Sequence, residues 1–206
     1  MPGFYIAFEG IEGCGKTTQT LALVESLRTS QAQVVLTRET GGTVIGQQIR
    51  DVLHDVTNTH LDPVAEALLI AGDRAQHRAE ILDPALSAGR HVVSDRSVYS
   101  TLAYQGYGRD LPLDMVRQVN DWALAGRWPD LVILLEVDHG PAMERLQSRA
   151  LDRFENEDEV FFRRVSEGFR TMARQDPDHW LVINGQGSPT DIAREIRQGV
   201  ADRLGL

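Results

Sequence analysis

The chain has a single cysteine, Cys14, among its 206 residues. One cysteine excludes an intrachain disulfide bond and suits a reducing compartment. Long apolar runs are also missing, since none approaches the roughly 20 residues that a membrane-spanning helix needs. The first residues show no basic segment followed by an apolar one, as a secretion signal would. We therefore expect a cytoplasmic protein with no membrane partner.

Positive charge is scarce as well. The sequence has 21 lysine and arginine residues against 30 aspartate and glutamate residues, which gives a net charge of −9. Duplex binding would need a basic face, so we expect no nucleic-acid partner, and any phosphate ligand must be held locally. The histidines show no metal-ligand spacing. A composition of 42% apolar and 25% charged residues without repeats is typical of one globular domain, 1–206.

Five short aliphatic runs alternate with helical patterns along the chain. Continuous apolar strands between helices predict a parallel sheet that helices cover on both faces, an α/β fold. The predicted strands are residues 4–8, 34–37, 91–94, 131–137 and 180–183. The predicted helices are residues 17–29, 44–54, 63–87, 113–125, 141–148, 158–175 and 189–204.

A phosphate-binding pattern stands between the first predicted strand and the first predicted helix. Residues 10–17 read Gly-Ile-Glu-Gly-Cys-Gly-Lys-Thr, a complete G-x-x-x-x-G-K-T loop. Its glycines let backbone N–H groups face a polyphosphate, Lys16 brings a positive charge to the outer phosphates, and Thr17 can ligate Mg²⁺. The motif alone also allows a flexible turn or a loop that binds nucleotide without catalysis. The flanking strand and helix favour the phosphate loop.

Polar residues follow the third predicted strand at the sheet edge where ligands bind. Asp95 can reach the Mg²⁺ side of a phosphate-loop site, and Arg96 can bind a second phosphate group. A strand-end aspartate can also be a helix N-cap. The presence of a phosphate loop in the same sheet favours the functional interpretation.

Three arginines, Arg145, Arg149 and Arg153, are spaced four residues apart, so on a helix they would lie along one face. The loop has no basic residue at its variable positions 11–14, so further charge neutralisation must come from elsewhere. A mobile segment bearing these arginines could supply it by closing over the reacting phosphates. The alternative is a solvated helix face paired with neighbouring acidic residues.

A base and a sugar could be bound by Arg74 and by the polar run 100–106. Spacing alone does not establish this pocket, and Tyr104 taken by itself fits a core or rim aromatic residue better than a pocket residue.

Taken together, residues 8–19, 38–43, 95–97 and 103–106 resemble bacterial thymidylate kinase, and the resemblance covers nearly the whole chain. It implies a P-loop NTPase-type sheet of five parallel strands with nucleoside monophosphate kinase architecture and a short lid at about 144–157. It implies ATP-dependent phosphorylation of dTMP to dTDP, Mg²⁺ as cofactor, and a homodimer. The chain resembles the family type whose catalytic arginine lies in the lid, which agrees with the absence of a basic residue from the variable positions 11–14 of the loop.

The resemblance assigns roles to individual positions. ATP contacts fall on Gly10, Ile11, Glu12, Gly13, Cys14, Gly15, Lys16, Thr17 and Thr18. Catalytic roles fall on Lys16, Arg96, Arg149 and Arg153, and metal ligation falls on Thr17 and Asp95. Substrate contacts fall on Glu12, Glu39, Arg50, Ile70, Arg74, Asp95, Arg96, Thr101, Tyr104 and Gln105. We place the adenine near the turn 184–187, from its position after the last strand.

Two positions depart from the family pattern. Thr40 stands where the family usually has proline, so the turn must form without proline's fixed φ. Ile70 stands where the family commonly has a phenylalanine that stacks on thymine. Loss of stacking predicts weaker acceptor binding or tolerance of other pyrimidines.

Two alternative functions remain at this point. One is a kinase for another deoxynucleoside monophosphate. The other is a non-catalytic switch of the GTPase kind, which the sequence disfavours because N-K-x-D is absent and its D-x-x-G lies at 202–205, at the C-terminal end.

Overall fold

The computed structural model describes residues 3–146 and 151–206. Its sheet has five parallel strands in the order β2-β3-β1-β4-β5. They are β1 (Tyr5–Glu9), β2 (Val34–Arg38), β3 (His91–Asp95), β4 (Leu131–Glu136) and β5 (Trp180–Asn184). The predicted parallel sheet is confirmed, and every strand end lies within one residue of its predicted position.

The helices of the described residues surround this sheet. They are α1 (Lys16–Thr29), α2 (Val44–His54), α3 (Pro63–His77), α4 (Asp83–Ser87), α5 (Val98–Thr101), α6 (Leu113–Leu124), α7 (His139–Glu144), α8 (Glu159–Gln175) and α9 (Pro189–Leu204). Two π-helical segments, Arg78–Leu82 and Leu102–Gly108, join α3 to α4 and extend α5. No helix in the part of the chain that the structure describes is long and apolar enough to cross a membrane.

Local capping explains where several helices begin. The Asp62 carboxylate accepts hydrogen bonds from the backbone N–H groups of Val64 and Ala65, and Pro63 occupies the first turn of α3. Asp158 caps α8 in the same way through the N–H of Phe161. These side chains satisfy N–H groups that have no partner inside the helix, which stabilises the helix start.

The helix predicted at 63–87 is present but interrupted by the π turn at Arg78–Leu82. Pro84 stands two residues after the end of this turn, and proline cannot donate a backbone hydrogen bond. The π turn therefore lies just before a residue without a backbone donor, and α4 follows it directly.

The segment formed by α5 and Leu102–Gly108 was not predicted as helical. Its glycines have low helix propensity. Those glycines instead allow close packing: a Cβ at Gly108 would lie 2.7 Å from the Phe161 ring, and one at Gly106 would lie 2.4 Å from Leu113. Tertiary contact with α8 and α6 therefore stabilises a helix that local sequence does not favour.

The helix predicted at 141–148 is displaced. α7 runs from His139 to Glu144, and Arg145 is its C-cap. Arg153 lies in a turn, because the Asp152 carboxylate accepts hydrogen bonds from the N–H groups of Phe154 and Glu155. The prediction that Arg145 and Arg153 share one helix face is wrong, and Arg149 lies outside the described residues.

The core occupies both faces of the sheet. Ile6 and Phe8 of β1 pack into the larger apolar cluster. Tyr5 and Ala7 face the other side, against a smaller cluster that includes Leu86. Alternating side chains are thus buried in both directions, as the continuous apolar strands predict.

Candidate active site

The carboxyl ends of β1, β2 and β3 open into one cavity of about 500 Å³. Many residues that the sequence analysis assigned to the site line this cavity. They are Glu12, Gly13, Gly15, Lys16, Thr17, Thr18, Glu39, Arg50, Ile70, Arg74, Asp95, Arg96, Thr101, Tyr104 and Gln105. Among the assigned residues that the structure describes, Gly10, Ile11, Cys14 and Arg153 do not line it.

The phosphate loop surrounds the Lys16 ammonium group at one end of the cavity. Lys16 Nζ donates to the backbone carbonyls of Gly10 at 3.0 Å and Ile11 at 2.7 Å. Gly13 has a φ of 74°, and a Cβ there would lie 2.1 Å from the carbonyl oxygen of Ala142. The fold therefore requires glycine at this position, both for backbone conformation and for space.

The side chains of Ile11 and Cys14 belong to the core. Only their backbone atoms can contribute to binding a phosphate. The Cys14 thiol is buried, with its Sγ 3.6 Å from Lys16 Nζ. Cys14 is therefore a small buried residue in a loop whose backbone atoms are the ones available to a ligand.

Thr17 and Asp95 meet at the start of α1. The Thr17 hydroxyl donates to Asp95 Oδ2 at 2.6 Å, and both residues line the cavity. A hydroxyl and a carboxylate are the hard oxygen ligands that Mg²⁺ accepts, usually with phosphate oxygens and water completing the shell. Within residues 3–146 and 151–206 no cluster of three or more His, Cys, Asp or Glu residues could hold a metal. The pair therefore fits Mg²⁺ brought in by a nucleotide.

Arg96 lies beside the phosphate loop and is held in place by Glu12. Its guanidinium donates to Glu12 Oε1 at 2.8 Å and to the Gly10 carbonyl at 3.1 Å. The Tyr104 hydroxyl donates to the other Glu12 oxygen at 2.5 Å, and the Arg96 guanidinium lies 5.1 Å from the centre of the Tyr104 ring. Glu12 of the loop, Arg96 and Tyr104 thus form one hydrogen-bonded group that faces the cavity.

Glu9, at the end of β1, is a buried carboxylate that the sequence analysis did not assign to the site. It accepts hydrogen bonds from the backbone N–H and the hydroxyl of both Ser97 and Ser100. Burial raises its pKa, against the nearby charge of Arg96 and the serine hydrogen bonds. Glu9 fixes the first turn of α5, and Ser100 in turn accepts a hydrogen bond from Arg96.

Arg74 lies at the opposite end of the cavity in a buried network. Its Nε donates to Glu39 Oε2 at 2.8 Å, and its terminal nitrogens donate to Asn120 and to the carbonyl of Ser97. The other Glu39 oxygen lies 2.9 Å from Nδ1 of His77. Burial acts to raise the pKa of Glu39, but the charge of Arg74 and the contacts with His77 hold it below its usual value. Glu39 is therefore an ionised partner that orients Arg74.

Three more assigned residues surround Arg74. Ile70 lies one helical turn before it, Thr101 and Gln105 project from the segment after β3, and all three are buried. The Gln105 amide donates to Glu66 at 2.7 Å. The Thr101 hydroxyl has no hydrogen-bond partner among the described residues. A buried hydroxyl without a partner is costly, and a ligand in this cavity would supply the missing contact.

The turn after β2 forms without proline. The Glu39–Thr40 peptide bond is cis, and the N–H of Gly41 donates to Asp73 at 3.1 Å. Arg50 of α2 donates to the Thr40 carbonyl at 3.2 Å while lining the cavity.

The two described arginines of the segment 144–157 differ in position. Arg145 lines the cavity and donates to the carbonyls of Gly13 and Gly185, at 3.2 and 3.3 Å. Arg153 instead pairs with buried Glu66 at 2.6 Å. Because Arg145 contacts both Gly13 and Gly185, the turn at 184–187 lies close to the phosphate loop. The sequence predicts the adenine at this turn.

Several cavity residues were missed from the sequence. They are Arg38, Leu53, His54, Ser97, Leu146, Asp152, Phe154 and Glu155. Ser100 and Arg145 line the cavity too, and the sequence had marked both as candidates. His54 and Asp152 form a 2.7 Å contact across it. No local pattern marks Leu53, His54 or Asp152, because residues 152 and 153 meet α2 only in the folded protein.

Comparisons with known proteins agree with this arrangement. The family model described as thymidylate kinase matches residues 8–196. The thymidylate kinase of Maridesulfovibrio salexigens is 40% identical over 208 residues, covering 97% of this chain and 96% of that protein. That of Pelotomaculum thermopropionicum is 46% identical over 206 residues, covering 99% and 95%. The crystal structure of thymidylate kinase from Ehrlichia chaffeensis superposes with a TM-score of 0.81 at 31% identity, covering 97% of this chain and all of that one. The chain therefore belongs to the thymidylate kinase family.

Proposed function

We propose that the protein transfers the γ-phosphoryl group of ATP to dTMP, forming ADP and dTDP, in the cytoplasm and with Mg²⁺. The observation that carries the proposal is that one cavity joins the phosphate loop to a buried pocket containing Arg74 and Thr101. A donor site and an acceptor site then face each other, with Arg96 between them. The whole chain acts as one kinase domain whose lid is the segment at about 144–157.

The donor end binds polyphosphate. Lys16 Nζ exchanges its two backbone carbonyls for phosphate oxygens, and the positive end of α1 points at the same anion. Thr17 and Asp95 hold Mg²⁺, which when bound neutralises charge on the donor phosphates. Gly10 to Thr18 contribute mainly backbone N–H groups.

Arg96 binds the acceptor phosphate. Its guanidinium is already fixed by Glu12, Gly10 and Ser100, so little freedom is lost when a phosphate approaches. The acceptor phosphate is itself the nucleophile, so no strong general base is needed. Catalysis consists of in-line alignment and stabilisation of charge on the transferring group.

Arg74 and Thr101 read the base. Arginine has five N–H donors, and three hydrogen bonds to Glu39, Asn120 and Ser97 leave two for a pyrimidine carbonyl. The Thr101 hydroxyl supplies a further polar contact. Tyr104, fixed by Glu12, borders the position of the sugar and favours a deoxyribose.

The acceptor class is tested by coupled ADP release with dTMP, dUMP, dCMP, dGMP and UMP. We expect a clear preference for dTMP. Preference for another monophosphate would identify a different kinase, and GTP binding without acceptor-dependent turnover would identify a switch protein. Either result would overturn the proposal.

Ile70→Phe is expected to lower the KM for dTMP between about twofold and tenfold, because an aromatic ring adds about 0.5–1.5 kcal/mol of stacking. The same steady-state assay measures it, with Ile70→Leu as a control of equal volume that cannot stack. If Ile70→Phe and Ile70→Leu bind dTMP equally well, the aliphatic side chain is not a cause of weaker acceptor binding.

We also propose that the chain forms a homodimer. Helices α2, α3 and α6 pack side by side and leave apolar side chains exposed on their outer faces. Ile45, Val64, Leu68, Met115 and Trp122 belong to this surface, and Trp122 is 87% exposed. Large exposed apolar areas of this kind are typical of protein interfaces.

Leu68→Arg is expected to convert a dimer into a monomer, because it places a charge on the middle helix of this surface, α3, which packs against both α2 and α6. Size-exclusion chromatography with light scattering measures the mass. Leu21→Arg on α1 is the matched control, since Leu21 is 52% exposed and Leu68 is 54% exposed. A monomeric wild type, or equal masses for the wild type and Leu68→Arg, would contradict the assignment.

A further inference from the structure

Glu66 on α3 is a completely buried carboxylate outside the cavity wall. Its oxygens accept hydrogen bonds from Gln105 at 2.7 Å and Arg153 at 2.6 Å, and from two nitrogens of Arg109 at 3.2 and 3.3 Å. A carboxylate without solvent is stable only when its charge is compensated in this way. Glu66 therefore has one favourable arrangement, with all three side chains in place.

Two of these partners, Gln105 and Arg153, come from different parts of the chain around the active site. Gln105 belongs to the acceptor wall, whereas Arg153 belongs to the lid segment. Arg153 also donates to the carbonyl of Leu53 at 2.7 Å, and its guanidinium lies 4.4 Å from the centre of the Phe154 ring. Glu66 thus links the acceptor wall to the lid.

Phe154 extends this link back into the cavity. Its ring lines the cavity and meets the Tyr104 ring edge-on, with the centroids 6.2 Å apart. Fixing Arg153 therefore also fixes the surface that Tyr104 packs against. The connected set runs from Gln105 through Glu66, Arg153 and Phe154 to Tyr104, beginning and ending in the acceptor pocket.

We propose that Glu66 and Arg153 form a clamp that positions the lid segment 152–155 against the acceptor pocket, and that Arg153 acts as a positioning residue. This inference rests on the proposed function and replaces direct contact between Arg153 and the transferring phosphoryl group. If Arg153 turned toward a phosphate, it would leave part of a buried negative charge uncompensated. Arg145 pays no such penalty, since its contacts in the described structure are with neutral carbonyls.

A double-mutant cycle on Glu66→Gln and Arg153→Ala tests the clamp. We expect each single variant to raise the KM for dTMP about tenfold and to lower kcat by less than about threefold, because the damage is to acceptor positioning. The double variant should resemble one single variant, since both break the same contact. The clamp would be overturned if Arg153→Ala lowered kcat about a hundredfold both in the wild type and in the Glu66→Gln variant. That result would show that Arg153 contacts the reacting group directly.

A second measurement separates this inference from the proposed function. Urea unfolding of the wild type, the two single variants and the double variant measures the coupling between Glu66 and Arg153 without any substrate. We expect a coupling of at least about fivefold in the unfolding equilibrium constant. Glu167 and Arg174 provide a matched control, because they form a 2.6 Å ion pair that is exposed. We expect no coupling in the Glu167→Gln and Arg174→Ala cycle. Absence of coupling at Glu66 and Arg153 would overturn the clamp even in an active enzyme, whereas a wild type inactive on dTMP would overturn only the proposed function.

Discussion

Replacing Lys16 with alanine is expected to lower kcat by at least about 10² to 10³-fold, while the protein remains folded. The lysine is the only one in the sequence, and the variable positions of the loop carry no arginine. Removing it leaves the donor phosphates without the positive charge that the loop provides. Loss of one preorganised contact to the developing charge typically lowers kcat by about 10² to 10³-fold.

Coupled ADP release measures the loss, and circular dichroism with urea unfolding confirms the fold. Lys16→Met is the control that keeps most of the side-chain length without the charge, and it should be as inactive as Lys16→Ala. Because Lys16 is the sole lysine, an amine-directed reagent labels one side chain, and ATP should protect it. Turnover by Lys16→Met at a rate close to that of the wild type would remove Lys16 from the mechanism.

Replacing Arg74 with methionine is expected to destabilise the protein by about 3–5 kcal/mol and to weaken dTMP binding strongly. Both members of the Arg74–Glu39 pair are buried, with side-chain exposure of 2% each. Methionine fills much of the space, but Glu39 is left ionised in the interior with only His77 beside it. Removing one partner of a buried pair costs about this amount.

The double variant Glu39→Gln with Arg74→Met should be more stable than Arg74→Met alone, because no buried charge remains. Urea unfolding measures both, and the KM for dTMP should stay high in both. Equal stability of the two variants would show that the ion pair is not the source of the loss.

The pH dependence of the same variants follows from the direction of the Glu39 shift. Its pKa is lowered in the folded protein, so the ion pair stabilises the wild type above the ordinary carboxylate pKa. That stabilisation is lost as the pH falls through the lowered value. In Arg74→Met the carboxylate can protonate, so the deficit relative to the wild type should shrink between about pH 7 and about pH 4.

Much of the donor site could be predicted from sequence, because its chemistry is encoded in consecutive residues. The run 10–17 specifies its own backbone turns through glycine, and the neighbouring strand and helix give its place in the sheet. Asp95 is the last residue of the third strand, so parallel topology places its carboxylate at the phosphate loop, 2.6 Å from the Thr17 hydroxyl. The strands could be predicted as well, because continuous burial on both faces leaves a strong apolar signal.

The acceptor side was predicted mainly by resemblance, and its supporting network was missed. Glu9 and Glu66 are buried carboxylates whose partners are far away in sequence, such as Ser97 for Glu9 and Arg153 for Glu66. Nothing in their local sequence distinguishes them from exposed acidic residues. The segment after β3 was missed as a helix for a related reason, since close packing of its glycines stabilises it.

By itself the sequence determined the parallel sheet, the phosphate loop and the family, because these depend on local pattern and on the order of motifs. Only the tertiary structure decided what Arg145 and Arg153 pair with. Arg145, Arg149 and Arg153 have the same chemistry and even spacing, yet Arg145 contacts carbonyls at the cavity and Arg153 a buried carboxylate. The reason is physical: the energy of a charged side chain depends on the burial and charge of its surroundings, and distant parts of the chain supply those surroundings.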